Sequence, residues 1–263
     1  MAMTPHVLVV AGSDSSGGAG LARDVETLSA LGQRSCLAVT AVTVQTHEDV
    51  ERIEYISPDL IAAQMGAAFA ANQIAAVKVG MLGRAAAIEA VASILARNRH
   101  VPVVLDPVLA STSGRALLEE DAVDAMRRDL MPVCRLVTPN LLELAALTGS
   151  VLASNDEAAC QQGKQLSGAV GTAVLVKGGH AQGRQAADLL VPPDGPAIRF
   201  VSTRLKCSMR GTGCMLSTAV AAFLALGASL EESVRGAKQY VFDKFARAEA
   251  QGEAAHHSQR CVR

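Results

Sequence analysis

The sequence predicts an α/β fold, with a mostly parallel sheet covered by helices on both sides. Three observations lead there. Short Val-, Ile- and Leu-rich runs alternate with helix-length segments along most of the chain. Half of the 263 residues are hydrophobic, yet only 3% are aromatic and Trp is absent. The core must therefore come from Ala, Val, Leu, Ile and Met, a palette that suits helices on buried parallel strands. Finally, chemically loaded turns fall directly after the apolar runs, where open α/β sheets bind ligands.

The elements follow in order. His6–Ala11 is a Val-rich strand ending in the turn Gly12–Gly20, which opens a helix to about Leu31. Ser35–Gln45 and Glu51–Ser57 read as strands. Pro58 starts a helix to about Asn72, because proline's missing N–H costs nothing in a first turn. Ile74–Val79 is a strand, Ala85–Arg97 a helix and Val101–Asp106 a strand. A helix is expected near Glu119–Leu130, a short strand at Arg135–Thr138, then helices from Asn140 and over about Asn155–Leu166. Thr172–Lys177 is a strand, and Ala187–Val191 with Ala197–Ser202 forms a hairpin around Pro192–Gly195. Two helices finish the chain, the last placing Leu230, Val234, Ala237, Val241 and Phe245 on one face. Residues 1–250 are expected to form a single domain, and 251–263, with His256 and His257, a short solvated tail.

The formal charge of -1 and the mixed distribution of acids and bases give no basis for a nucleic-acid surface. Six cysteines at 36, 134, 160, 207, 214 and 261 form no CxxC pair, which speaks against zinc or thioredoxin-like chemistry. The first residues lack a basic signal-peptide region, and the apolar stretch Met215–Ala228 is shorter than the roughly 18 residues of a membrane span. A cytoplasmic protein with reduced thiols, acting on small molecules and not at a membrane, is the expectation.

Five clusters carry possible chemistry. Gly12-Ser13-Asp14-Ser15-Ser16-Gly17-Gly18-Ala19-Gly20, followed by Asp24, joins four glycines to a helix start that favours anions. It lacks the lysine and spacing of a P-loop, and a plain tight turn explains it equally well. Asp106-Pro107 follows a Val/Leu strand; the carboxylate suits a metal or water, or simply starts a turn. In Thr138-Pro139-Asn140-Leu141-Leu142-Glu143, Asn140 can cap a helix with Glu143 in its first turn; the alternative is a Mg²⁺–phosphate site shared with Asp106. Lys177, before Gly178-Gly179-His180, ends a buried strand and needs a negative partner, either a phosphate or a carboxylate. Last, Gly211-Thr212-Gly213-Cys214 presents backbone N–H groups at a helix start, an anion cradle. Its positive end should lower the Cys214 thiol pKa below about 8.5, unless Cys214 is only a small packed residue.

Taken together and in order, these clusters resemble the hydroxymethylpyrimidine and phosphomethylpyrimidine kinases of thiamine biosynthesis, in the ribokinase-like superfamily. The likeness runs from His6 to about Ala246 and includes Ser29–Gly32, Thr40–Gln45, Lys78–Leu82 and Val104–Val108. It implies a three-layer α/β/α domain that moves the γ-phosphate of ATP to a pyrimidine hydroxymethyl group, then adds a second phosphate. Homodimers are common in the family. By position, the resemblance puts Gln45 on the aminopyrimidine, with Gly12, Ala19, Met81 and Asp24 on the substrate side. It puts Asp106 and Glu143 at Mg²⁺, and Lys177, Asn140 and Thr212 at the phosphates. Cys214 becomes the proton acceptor, within the cradle of Gly211, Thr212 and Gly213. Pyridoxal kinase activity is the nearest alternative, and a non-catalytic ligand sensor a more distant one. The chain departs from the family in Ser208-Met209-Arg210, where Asn-Thr-His is usual, and in Ala22, Arg23 and Glu26 beside Asp24. Arg210 is expected to contact a nucleotide or substrate phosphate, or else to stand exposed at the site mouth.

Overall fold

Strand β1 (His6–Ser13) lies between β2 (Arg34–Gln45) and β4 (Ile74–Val79) in a sheet ordered β3-β2-β1-β4-β5-β6-β7-β8-β9. The remaining strands are β3 (Val50–Tyr55), β5 (Val103–Leu105), β6 (Leu136–Val137), β7 (Ala173–Lys177), β8 (Gln185–Val191) and β9 (Ile198–Thr203). The structure is a computed structural model that describes residues 5–111, 114–178, 185–205 and 209–260, without the side chains of 120 and 251–260. Gly179, His180, Cys207, Ser208, Cys261 and the side chains of His256 and His257 thus lie outside the described residues.

Strands β2, β1, β4, β5, β6 and β7 run parallel, and β3, β8 and β9 add antiparallel edges. The chain leaves β1 for β2 on one side and returns to β4 on the other. That reversal opens a crevice at the carboxyl ends of β1 and β4.

Alternation along β1 divides the core. Leu8 and Val10 pack with helices α2 (Pro58–Ala71), α3 (Ala85–Ala96), α4 (Glu120–Ala125), α5 (Leu141–Thr148) and α6 (Asp156–Val170). Val7, Val9 and Ala11 face α1 (Gly20–Ala30), α7 (Thr212–Ala225) and α8 (Leu230–Arg260). This is the expected three-layer α/β/α arrangement. Gly236 lets α8 close onto α7, since a Cβ there would lie 2.9 Å from Phe223 Cε2. Among the described residues no helix is long and apolar enough to cross a membrane.

Three boundaries differ from expectation. β5 keeps only Val-Val-Leu, all buried. The single helix expected near Glu119–Leu130 is α4 followed by a π turn at Met126–Leu130 and a 3₁₀ turn at Met131–Val133. Pro132 accounts for it: without an N–H, and with its ring against the preceding turn, it cannot continue an α-helix. Finally, α8 continues to Arg260, past residue 250.

Candidate active site

The loop after β1 is shaped by its own side chains. Asp14 Oδ1 accepts from the Ser16 amide at 2.8 Å and its hydroxyl at 2.7 Å. Gly20 has φ +56, and a Cβ there would strike the Gly12 carbonyl, so only glycine closes this turn. The loop is sewn to the end of β2: Ser15 Oγ donates to the Gln45 carbonyl at 2.9 Å and accepts from its amide at 2.8 Å. Thr43 Oγ1 donates to the Ser13 carbonyl at 3.0 Å.

Beneath this seam lies an apolar wall. Ala41, Met81 and Leu117 are buried, with Ile53, Tyr55 and Val108 packed against them. The Thr40 hydroxyl fixes the Met81 carbonyl at 2.6 Å, and a Cβ on Gly12 would stand 3.1 Å from Met81 Sδ. Gln45, on the same β2 face as Ala41 and partly exposed, keeps its side-chain amide 3.3 Å from the Thr43 hydroxyl. A flat apolar surface with an amide at its rim suits a small heteroaromatic ring.

The second half of the site gathers at β5, β6, β7 and the start of α7. Lys177 Nζ meets Asp106 Oδ1 at 2.7 Å and Glu143 Oε2 at 3.7 Å. Thr138 Oγ1 donates to Asp106 Oδ1 at 3.3 Å. Burial opposes ionisation of Asp106, but Lys177 and Lys78 outweigh it and hold its carboxyl below the usual range. Burial pushes Glu143 up to about 6, with Lys177 pulling the other way. Asn140 and Glu143 do form the capping box of α5, at 2.9 and 2.7 Å. The cap and the cluster coexist, because one Glu143 oxygen serves both Asn140 and Lys177.

Gly211 begins α7 at φ 71 and has no side chain to cap it, so the first N–H groups of the helix stay available to an anion. Thr212 is the first helical residue. Gly213 is bare for a reason: a Cβ would come 3.2 Å from Lys177 Nζ and 3.5 Å from Asp106 Oδ2. The expected cradle and the Lys177 cluster are therefore adjacent.

Between the two halves sits a sealed ion pair. Lys78, on β4, is 0% exposed and donates to Asp24 Oδ2 at 2.8 Å; Asp24 Oδ1 accepts from Thr218 of α7 at 2.7 Å. Burial alone would neutralise Lys78, but Asp24, with Cys214 and Asp106 behind it, raises its pKa and keeps it cationic. Burial likewise pushes the Asp24 carboxyl up against the pull of Lys78. With two donors on its two oxygens, the charged pair is the form this geometry favours.

Cys214 stands one helical turn before Thr218. The expected fall in its thiol pKa is reversed. Burial pushes it up to about 11, and Asp24 and Asp106 add to this, while Lys78 and the Gly20 N–H act against them. Desolvation thus outweighs every group that favours the thiolate here.

Two further expectations change. Asp24, assigned to the substrate side, is fully buried with its two oxygens engaged by Lys78 and Thr218, so it braces Lys78. Arg210 is neither exposed at the mouth nor aimed at the Lys177 cluster. Its Nη1 donates to Ser16 Oγ at 3.0 Å and to the Thr46 carbonyl at 3.0 Å, and meets His47 Nδ1 at 3.1 Å. Ala19 flanks α1 at its N-cap, its Cα 3.2 Å from where a Gly211 Cβ would stand. Lys78 was assigned no role from sequence, although a lysine inside the otherwise apolar Ile74–Val79 already signals a buried cation that needs a partner.

Comparison with known proteins agrees with this architecture. A family model described as phosphomethylpyrimidine kinase matches residues 14–259. The chain belongs to that family. It is 42% identical over 240 residues to the hydroxymethylpyrimidine/phosphomethylpyrimidine kinase of Rhizobium meliloti (strain 1021), covering 91% of this chain and 90% of that one. A crystal structure of phosphomethylpyrimidine kinase from Clostridium difficile 630 matches with a TM-score of 0.79 and 33% identity, over 92% of this chain and 99% of that one. Pyridoxal kinase from Staphylococcus aureus, in complex with AMP-PCP and pyridoxal, matches with a TM-score of 0.83 and 26% identity, over 92% and 88%. The family member described here thus has a fold shared with kinases of both alcohols.

Proposed function

We propose that this protein transfers the γ-phosphate of ATP to the hydroxymethyl group of hydroxymethylpyrimidine, and then phosphorylates the monophosphate to the diphosphate, in thiamine biosynthesis. One observation carries the reading. At one end of the sheet, an apolar wall rimmed by Gln45 adjoins a bare, uncapped helix start beside Lys177, Asp106 and Glu143. The names of the family and of its relatives support the same activity.

In this mechanism Gln45 orients the ring, and Gly12, Ala19 and Met81 line its pocket. The N–H groups of Gly211, Thr212 and Gly213, together with Lys177 and Asn140, receive the phosphates. The acceptor oxygen forms a bond to the γ-phosphorus as the bond to the bridging oxygen of ADP breaks. Such transfers depend on positioning and charge stabilisation.

Asp106 and Glu143 would hold Mg²⁺. Both approach Lys177, and among the described residues no group of three His, Cys, Asp or Glu side chains encloses a metal. Two carboxylates converging on one point suit an ion whose other ligands are water and substrate phosphates. Bound there, the ion would supply positive charge to the phosphates and offset Asp106, one of the two carboxylates that oppose Cys214 ionisation.

Cys214 is the proposed acceptor of the hydroxyl proton, and magnitudes constrain it. With its pKa at about 11, only about one thiol in 10⁴ is ionised at pH 7. A positioned base contributes roughly 10²–10⁴ in rate. The role therefore requires the bound complex to bring the thiol pKa down, with Lys78 and the Gly20 N–H already favouring the thiolate.

The test is a time course with Mg-ATP that separates mono- from diphosphate, run beside Cys214→Ala. Wild type should accumulate both products, and the variant should lose about 10²–10⁴ in turnover. No ADP release with the pyrimidine would end this reading. Faster turnover of pyridoxal would replace it with the pyridoxal kinase reading that the Staphylococcus structures favour. A homodimer is proposed as well, with Val42 and Val44 exposed together on β2 as its candidate contact; light scattering on the purified protein would test it.

A further inference from the structure

We propose that Arg210 is a positioning residue for the acceptor substrate: it ties the loop after β1 and the turn after β2 to the start of α7, holding the pyrimidine side of the site in register with Cys214. This rests on the reading that the Gly12–Met81–Gln45 recess takes the acceptor.

The partners of Arg210 come from two segments, and both belong to that recess. Ser16 and Asp14 lie in the loop after β1, with Asp14 Oδ2 at 3.6 Å from Nη2. Thr46 and His47 directly follow Gln45. The two segments are already sewn together through Ser15 and Gln45, so Arg210 grips a single unit from the far side.

The fit is built into the backbone. A Cβ on Gly18 would stand 3.2 Å from Arg210 Nη1, so the loop stays bare where the guanidinium passes. The next residue, Gly211, nests against the Gly18 carbonyl and Ala19 Cα, leaving no room for a Cβ of its own. Arg23 holds the same Gly18 carbonyl from Nη2 at 3.4 Å, and its Cγ would meet a Gly211 Cβ at 3.2 Å. Arg210 and Arg23, both departures from the family pattern, thus brace one junction.

A planar fork with fixed donors is the group for this task; an ammonium on a flexible stem is not. Arg210 is 21% exposed at its side chain, so its contacts are made in a partly desolvated setting where they count. Its Nε and Asp14 Oδ2 are both buried without a hydrogen-bond partner among the described residues. The guanidinium and carboxylate therefore have capacity left for a closer mutual contact. None of the contacts leads to Lys177, Asp106 or Glu143, which separates this residue from the nucleotide half.

The test compares wild type with Arg210→Ala and Arg210→Lys. In ligand-free Arg210→Ala, amide hydrogen exchange should speed up in peptides covering 14–18 and 45–49. Its KM should rise about tenfold for hydroxymethylpyrimidine and equally for the monophosphate, with KM for ATP within about twofold. Arg210→Lys should fall between, at about threefold. Should Arg210→Ala not fold, Ser16→Ala and His47→Ala remove acceptors singly, and each should raise the pyrimidine KM about two- to threefold. A rise confined to the monophosphate or to ATP would overturn the proposal in favour of a phosphate contact. Unchanged exchange and unchanged KM values would overturn it outright. If wild type does not use the pyrimidine, the functional reading fails by itself, and the exchange measurement still decides whether Arg210 holds the two segments.

Discussion

Lys78 and Lys177 are the same residue type at the carboxyl ends of two parallel strands, in opposite circumstances. Lys78 is sealed, faces one carboxylate, and that carboxylate is completed by Thr218. Lys177 is 13% exposed at its side chain and shared between Asp106 and Glu143 beside the bare Gly213. A cation whose partners are all internal organises the fold and sets the local field. A cation shared by two carboxylates at a rim, next to uncapped helix N–H groups, retains capacity for an anion. The difference lies in what else each partner is bonded to, not in the lysine.

Substitution of each lysine sharpens that contrast. The largest expected effect on turnover is at Lys177: Lys177→Met should reduce kcat/KM by about 10²–10³, the cost of one preorganised donor to the transferring group. Its stability loss in urea should stay within about 1–3 kcal/mol, because Lys177 lies at a rim that lets water reach the carboxylates it leaves, whereas Lys78 and Asp24 are sealed. Lys78→Met should show the reverse emphasis and lose about 3–5 kcal/mol, since it strands Asp24 in the core. Adding Asp24→Leu should restore most of that stability. If Lys177→Met unfolds the protein while Lys78→Met leaves it intact, the assignment of the two lysines is inverted.

A smaller effect separates the halves by pH. Glu143, pushed up to about 6 by burial, gains a proton as pH falls through that value, while Lys177, its pKa raised chiefly by Asp106 against burial, stays charged. Protonated Glu143 can no longer serve the proposed Mg²⁺ site, so kcat/KM should fall below about pH 6 and plateau above it. Glu143→Gln should remove this acid limb. An unchanged limb in that variant would assign the titration to another group.

How legible this was in the sequence varies with distance along the chain. Strands were readable because buried parallel strands are short continuous apolar runs, and Val7–Ala11 or Val174–Val176 cannot be much else. The Asn140–Glu143 capping box was readable because it is local, spanning three residues. The Lys78–Asp24 pair joins residues 54 positions apart, and Arg210 reaches hydrogen-bond partners 163 to 194 positions away. No local pattern encodes such pairings; only the strand order brings them together. Cys214 failed differently. The helix-terminus effect is local and visible, whereas desolvation by the walls around the thiol belongs to the assembled fold, and it dominates.

The two asparagine caps test the same lesson at the smallest scale. Asn155 caps α6 through the Ala158 amide at 2.8 Å, and Asn140 caps α5 through the Glu143 amide at 2.9 Å. Both side chains cap an N3 amide, Asn140 within a capping box and Asn155 without one, and replacing either with Ala should cost about 0.5–2 kcal/mol. Only Asn140 also shares its partner Glu143 with Lys177. Asn140→Ala should therefore raise KM for ATP several-fold, about 3–10, whereas Asn155→Ala should leave it unchanged at matched stability loss. Equal kinetics in the two variants would reduce Asn140 to a cap and leave the nucleotide half to Lys177 and the start of α7. Unequal kinetics would mean that one side chain fixes a helix and, by holding the Glu143 backbone amide, the position of the carboxylate presented beside the phosphates.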